Sequence, residues 1–69
     1  MSVKVNVFNS KMALNEDTVD TVAEFLGIKR NTLRAKLNGT SDFKRNEINK
    51  LIARWNLTPD ETHEIFYSD

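Results

Sequence analysis

The sequence predicts an all-α domain of five short helices, and three observations carry that prediction. Apolar residues recur at helical spacing in three groups: Val19, Val22, Ala23 and Leu26; Leu33 and Leu37; Ile48, Leu51, Ile52 and Trp55. Start and stop signals bracket these groups at Thr18, Gly27, Asn38-Gly39 and Thr58-Pro59-Asp60-Glu61. The chain has 69 residues and no cysteine, so a single domain (1–69) must stand on its apolar core, without disulfides or thiolate metal sites. A chain this short buries only about 60% of its unfolded surface, so its stability is expected to be modest unless a dimer adds to it.

The elements follow in order. Residues 3–7 alternate, with Val3, Val5 and Val7 on one side and Lys4 and Asn6 on the other; a short strand and an extended lead-in to a helix both fit. Phe8, Met12 and Leu14 predict a short first helix, and Asn15-Glu16-Asp17 a polar link. The second helix takes Thr18 as N-cap and Asp20 in its first turn, where the helix dipole favours an anion. Gly27 ends it by taking positive φ. The third helix spans about 30–38, buries Leu33 and Leu37, and stops at Asn38-Gly39. Phe43 anchors the next loop, and the fourth helix spans about 44–55, with Trp55 closing it in the core. Thr58 caps the fifth helix, Pro59 occupies N1, and Glu61 completes a capping box. That helix carries Ile65 and Phe66 into the core and leaves Tyr67 partly exposed.

Net charge is zero, but it is segregated. Residues 1–28 carry two cations against four carboxylates, and residues 55–69 carry four carboxylates. Residues 29–54 carry eight cations against Asp42 and Glu47, a net +6. Such a dipolar molecule has one basic face, the electrostatic footprint of a nucleic-acid binder. The third and fourth helices also open on cations, Lys29 with Arg30 and Lys44 with Arg45. Each cation at a helix N-terminus costs roughly 0.3–1 kcal/mol, so the pattern points to an anion shared by both helix starts.

Other function classes find little support. No apolar run approaches the ~20 residues of a membrane span. The first ten residues lack a long apolar core and a small-residue cleavage site, so a cytoplasmic location is expected. His63 is the lone imidazole, and no metal site or cofactor is expected. Glu16, Asp17 and Asp20 cluster beside a helix start, while Ser10 and Ser41 lack a neighbouring base, so an enzyme is not expected.

Two helices joined by a tight glycine turn read as a helix-turn-helix over 18–38. Ala23 is small enough for a close crossing, and Leu33 and Leu37 pin the third helix onto Val22 and Leu26. Arg30, Asn31, Arg34 and Ala35 then face outward, with side chains suited to guanine, adenine and a thymine methyl. Lys29, Lys36, Asn38, Thr40, Ser41, Lys44 and Arg45 fall where backbone phosphates would pass.

These residues carry a resemblance. TVAEFLGIKRNTLRAKLNG closely resembles the helix-turn-helix of the phage Cro and lambda-type repressor family, also called the XRE family. The likeness continues through SDFKRNEINKLIARWNLTPDE and HEIF, and Lys11-Met12-Ala13-Leu14 resembles a segment of a short phage and prophage branch. It covers about residues 7–67, with Val22, Ala23, Gly27, Leu33, Leu37, Asn38 and Gly39 at framework positions. The resemblance implies a five-helix lambda-repressor-like domain and a transcriptional regulator that binds double-stranded DNA at a palindromic operator. It also implies a homodimer, at least on DNA, in a bacterial host. Base contacts fall by the same resemblance on Arg30, Asn31, Thr32, Arg34 and Ala35, and a phosphate on Asn38. Three positions depart from the family pattern: Val19 stands where glutamine is common, and Lys29 and Lys44 where serine or threonine caps are common. The alternative is a protein-binding antirepressor or adaptor on the same scaffold, suggested by the zero net charge and the acidic fifth helix.

Overall fold

The computed structural model describes residues 3–67; Met1, Ser2, Ser68 and Asp69 lie outside it, and with Asp69 one carboxylate of the acidic tail. Among the described residues the fold is all-α, with no strand. Its helices are α1 (Val5–Leu14), α2 (Val19–Leu26), α3 (Arg30–Leu37), α4 (Arg45–Trp55) and α5 (Pro59–Thr62), the last running into a π-helical turn, His63–Tyr67. Of the alternating valines, Val5 and Val7 lie in α1, while Val3 and the extended Lys4 lead into it; the Lys4 N–H donates to the Ile65 carbonyl at 3.0 Å, tying this lead-in to the C-terminal turn.

One rule closes the first four helices. Each is followed by a residue with positive φ: Glu16 (58°), Gly27 (75°), Gly39 (86°) and Asn56 (53°). Beyond each, an N–H reaches a carbonyl five residues back, pairing Asp17 with Met12, Ile28 with Ala23, Thr40 with Ala35 and Leu57 with Ile52. These left-handed closures satisfy carbonyls that a helix end would otherwise leave open. Glycine adopts that backbone at little cost, whereas a side chain there costs about 1–2 kcal/mol. A Cβ at Gly27 would meet nothing within 4 Å, so the cost of Gly27→Ala is backbone strain alone. Gly27→Ala should therefore lower stability by about 1 kcal/mol, and Glu16→Gly should raise it by up to about 1 kcal/mol. Urea unfolding midpoints of the two variants against the parent check both signs.

The helix starts divide into two kinds. Thr18 and Thr21 cap α2 reciprocally (2.9 and 3.2 Å), and Thr58 and Glu61 cap α5 in the same way (2.9 and 3.1 Å). By contrast α1 and α3 have no side-chain cap at Lys4 and Lys29. The start of α4 corrects the expectation of uncompensated cations there. Glu47 reaches back from the first turn and accepts the Lys44 N–H at 2.8 Å, which puts a carboxylate on the positive end of the helix.

The core is built around Phe8, Val22, Leu33, Leu51 and Ile65, all fully buried. Phe8 meets Trp55 edge-on at 5.0 Å and Phe66 at 6.3 Å; Phe43 lies 5.8 Å from Phe8 and 5.3 Å from Phe66. Such pairs contribute about 0.5–1.5 kcal/mol beyond the area they bury. The cluster joins α1, the loop before α4, the end of α4 and the C-terminal turn into one core. Leu14 lies outside it, 76% exposed.

A buried carboxylate fixes the turn between α1 and α2. The Asp17 side chain is 4% exposed. It accepts from Arg54 Nε (2.9 Å) and Nη2 (2.7 Å), from Trp55 Nε1 (2.8 Å) and from Thr21 Oγ1 (2.8 Å). The Arg54 guanidinium also lies over the Phe25 ring, 4.6 Å from its centroid. Asp17 thus links the first turn of α2 to the last turn of α4.

Candidate nucleic-acid interface

α2 and α3 pack directly on each other, and the turn between them is set by the Gly27 closure. Leu33 is fully buried and Leu37 half-buried, so α3 turns Arg30, Asn31, Thr32 and Arg34 outward. Arg30, Asn31 and Thr32 in its first turn are all exposed, as is Arg34 one turn on; Ala35 is half-buried. All five sequence-predicted base-contacting residues therefore lie on this helix, four of them open to solvent. The missing side-chain cap at Lys29 leaves the first-turn amides of α3 without a side-chain acceptor.

Arg30 does not hang free. Its Nε donates to Asp20 Oδ1 at 2.5 Å and its Nη2 to Oδ2 at 2.6 Å, a side-on pair between the starts of α2 and α3. The Arg30 hydrogen bonds hold the Asp20 carboxyl below its ordinary range, with further help from the charges of Arg30 and Arg34. In turn the Asp20 carboxylate holds the Arg30 guanidinium more firmly protonated.

The residues assigned to phosphate separate into two groups. Lys29, Thr40, Ser41, Lys44 and Arg45 are exposed. Among the described residues, none of Lys29, Arg34, Lys44 and Arg45 enters an ion pair. The Thr40 and Ser41 N–H groups both donate to the Ala35 carbonyl (2.9 and 3.1 Å), which holds the loop against the end of α3.

Lys36 is a correction. The sequence places it at a phosphate, but it is 5% exposed. Its Nζ sits 3.0 Å from Glu47 Oε1, donates to the Asp42 carbonyl at 2.9 Å, and lies 5.8 Å from the Phe43 ring centroid. The helical wheel explains this, because Lys36 lies three residues after Leu33, on the core side of α3. Lys36 thus braces the 38–44 loop and the start of α4 against α3. Asn38 is exposed at the end of α3, and its backbone N–H donates to the Arg34 carbonyl at 3.0 Å.

Two contributors escape the sequence reading. Asp20 pairs with Arg30 as well as favouring the α2 dipole. Glu47, at the third position of α4, both caps that helix and holds Lys36. The Glu47 signal was local, an acidic residue three positions after Lys44. Comparison of the chain with protein-family models, with characterised proteins and with solved structures finds no match. Among the described residues no helix is long and apolar enough to cross a membrane.

Proposed function

We propose that this chain is a sequence-specific double-stranded DNA-binding regulator of the Cro-like or repressor-like kind. In it α2 and α3 act as a helix-turn-helix, and α3 enters the major groove. One observation carries the proposal: the uncapped first turn of α3 exposes Arg30, Asn31 and Thr32 together, with Arg34 on the next turn. Arginine can pair with O6 and N7 of guanine and asparagine with N6 and N7 of adenine, so this turn has the donors and acceptors for base-edge readout. Lys29, Lys44 and Arg45, with the hydroxyls of Thr40 and Ser41, supply contacts that position the domain on the backbone. A single eight-residue helix spans few base pairs, so two protomers would address half-sites about 34 Å apart on a palindromic operator.

Selection from a pool of random-sequence duplexes tests this. Enrichment of a palindrome, with a two-protomer complex by sedimentation, is the expected result. On the selected site, Arg30→Ala should cost about ten- to a hundredfold in discrimination at one base position and leave the others unchanged. Equal weakening on every sequence would make Arg30 a phosphate contact instead. A protein-binding module on the same scaffold is favoured by one feature, an apolar groove lined by Ile52, Leu57, Pro59, Thr62, His63 and Tyr67. Failure to enrich any duplex, together with a tight protein partner, would support that alternative.

A further inference from the structure

We propose that Asp20 is a positioning residue for base recognition: it sets the Arg30 guanidinium for readout and discourages its capture by phosphate. The inference rests on the DNA-binding function proposed above. It starts from the side-on geometry of the pair, in which Nε and one Nη2 hydrogen are engaged by the two carboxylate oxygens. A guanidinium has five donors, so three remain. They lie along the Nη1 and Nη2 edge, and that edge is the fork that matches O6 and N7 of guanine. Asp20 can therefore hold Arg30 without consuming its reading edge.

Two further consequences follow from exposure and charge. The Arg30 and Asp20 side chains are 56% and 60% exposed, so neither is packed in place by neighbours. The carboxylate is the restraint on an otherwise mobile side chain, and an ordered guanidinium loses less entropy when it meets a base. Asp20 also places a negative charge at the start of α2, beside the basic face and near Arg34. A phosphate approaching Arg30 meets that charge, so non-specific contact is weakened more than base contact.

The test uses the full chain, the site selected from random duplexes, and a random-sequence duplex of equal length. Asp20→Ala should tighten binding to the random duplex about threefold or more and lower the ratio of selected to random affinity by about tenfold. The lost discrimination should map to the base position that Arg30→Ala affects. Asp20→Asn, which keeps the shape and removes the charge, should fall between. In an Arg30→Ala background, Asp20→Ala should change discrimination no further. A merely structural role would alter melting temperature and leave base preference untouched. Unchanged discrimination in Asp20→Ala, or an equal loss with and without Arg30, overturns the role of Asp20 while leaving duplex recognition standing. A parent protein that prefers no duplex over another overturns both.

Discussion

Replacing Asp17 with alanine should cost about 3 kcal/mol, enough to consume much of the stability of so small a domain. The change removes the acceptor for four hydrogen bonds, two of them from a guanidinium. It also strands the Trp55 indole N–H beside the core, and an unsatisfied buried donor alone costs about 1–3 kcal/mol. Arg54 is 33% exposed and can turn to solvent, so the penalty stays below that of a fully buried broken pair. At about 4–8 °C per kcal/mol, the melting temperature should fall by roughly 12–24 °C.

The same group predicts an acid response. The Arg54 hydrogen bonds hold the Asp17 carboxyl far below its ordinary value of 3.8; Trp55 and Thr21 add to them, and all overcome the opposing effect of burial. A carboxyl depressed in the folded state stabilises above its unfolded pKa, and that contribution is lost as pH falls below it. The stability gap between the parent and Asp17→Asn should therefore be flat from pH 7 to about 5 and shrink below about 4. Urea midpoints across that range decide it. A gap that stayed constant down to pH 3 would mean that the charge of Asp17 contributes nothing.

Most of the fold was legible because its signals are local. Thr18 and Gly27 bracket α2, the Thr58-Pro59-Glu61 box opens α5, and the stripes through Val22, Leu26, Leu33, Ile48 and Leu51 form the core. The alternation of Val3, Val5 and Val7 left two readings open, because three β-branched residues cannot separate a strand from an extended lead-in to a helix; the structure has the second, with Lys4 extended before α1, and Phe8 and Met12, one helical turn apart, were the better guide. Asp17 was illegible for a different reason: Arg54 and Trp55 lie 37 and 38 residues away, and no local pattern announces that pairing. Nor did Glu16 and Asn56 announce themselves, since neither is glycine. At the candidate site the exposed face of α3 was readable from Leu33 and Leu37. Charge counting failed at Lys36, because it weighed the cation and ignored the wheel position that turns it toward Glu47.

Binding to the selected duplex should fall about a thousandfold between 50 and 200 mM salt, and the distribution of that loss separates Lys36 from its neighbours. Lys29, Lys44 and Arg45 are the cations left for phosphate, so two protomers would neutralise about six charges. Each released counterion contributes about −0.9 to the log–log slope, giving a slope near −5. Lys44→Ala removes one cation per protomer and should move the slope by about 2 while leaving stability nearly unchanged, because the bond from Glu47 to the Lys44 N–H does not use the Lys44 side chain. Lys36 should behave in the opposite way. Lys36→Met alone leaves the Glu47 carboxylate buried without its partner, and breaking such a pair costs about 3–5 kcal/mol. Combining Lys36→Met with Glu47→Gln removes both charges and keeps an oxygen to accept the Lys44 N–H, so the domain should stay folded with its salt slope unchanged. If the double variant instead lost about 2 from the slope, Lys36 would reach phosphate in the complex, and the brace seen here would have to open on binding.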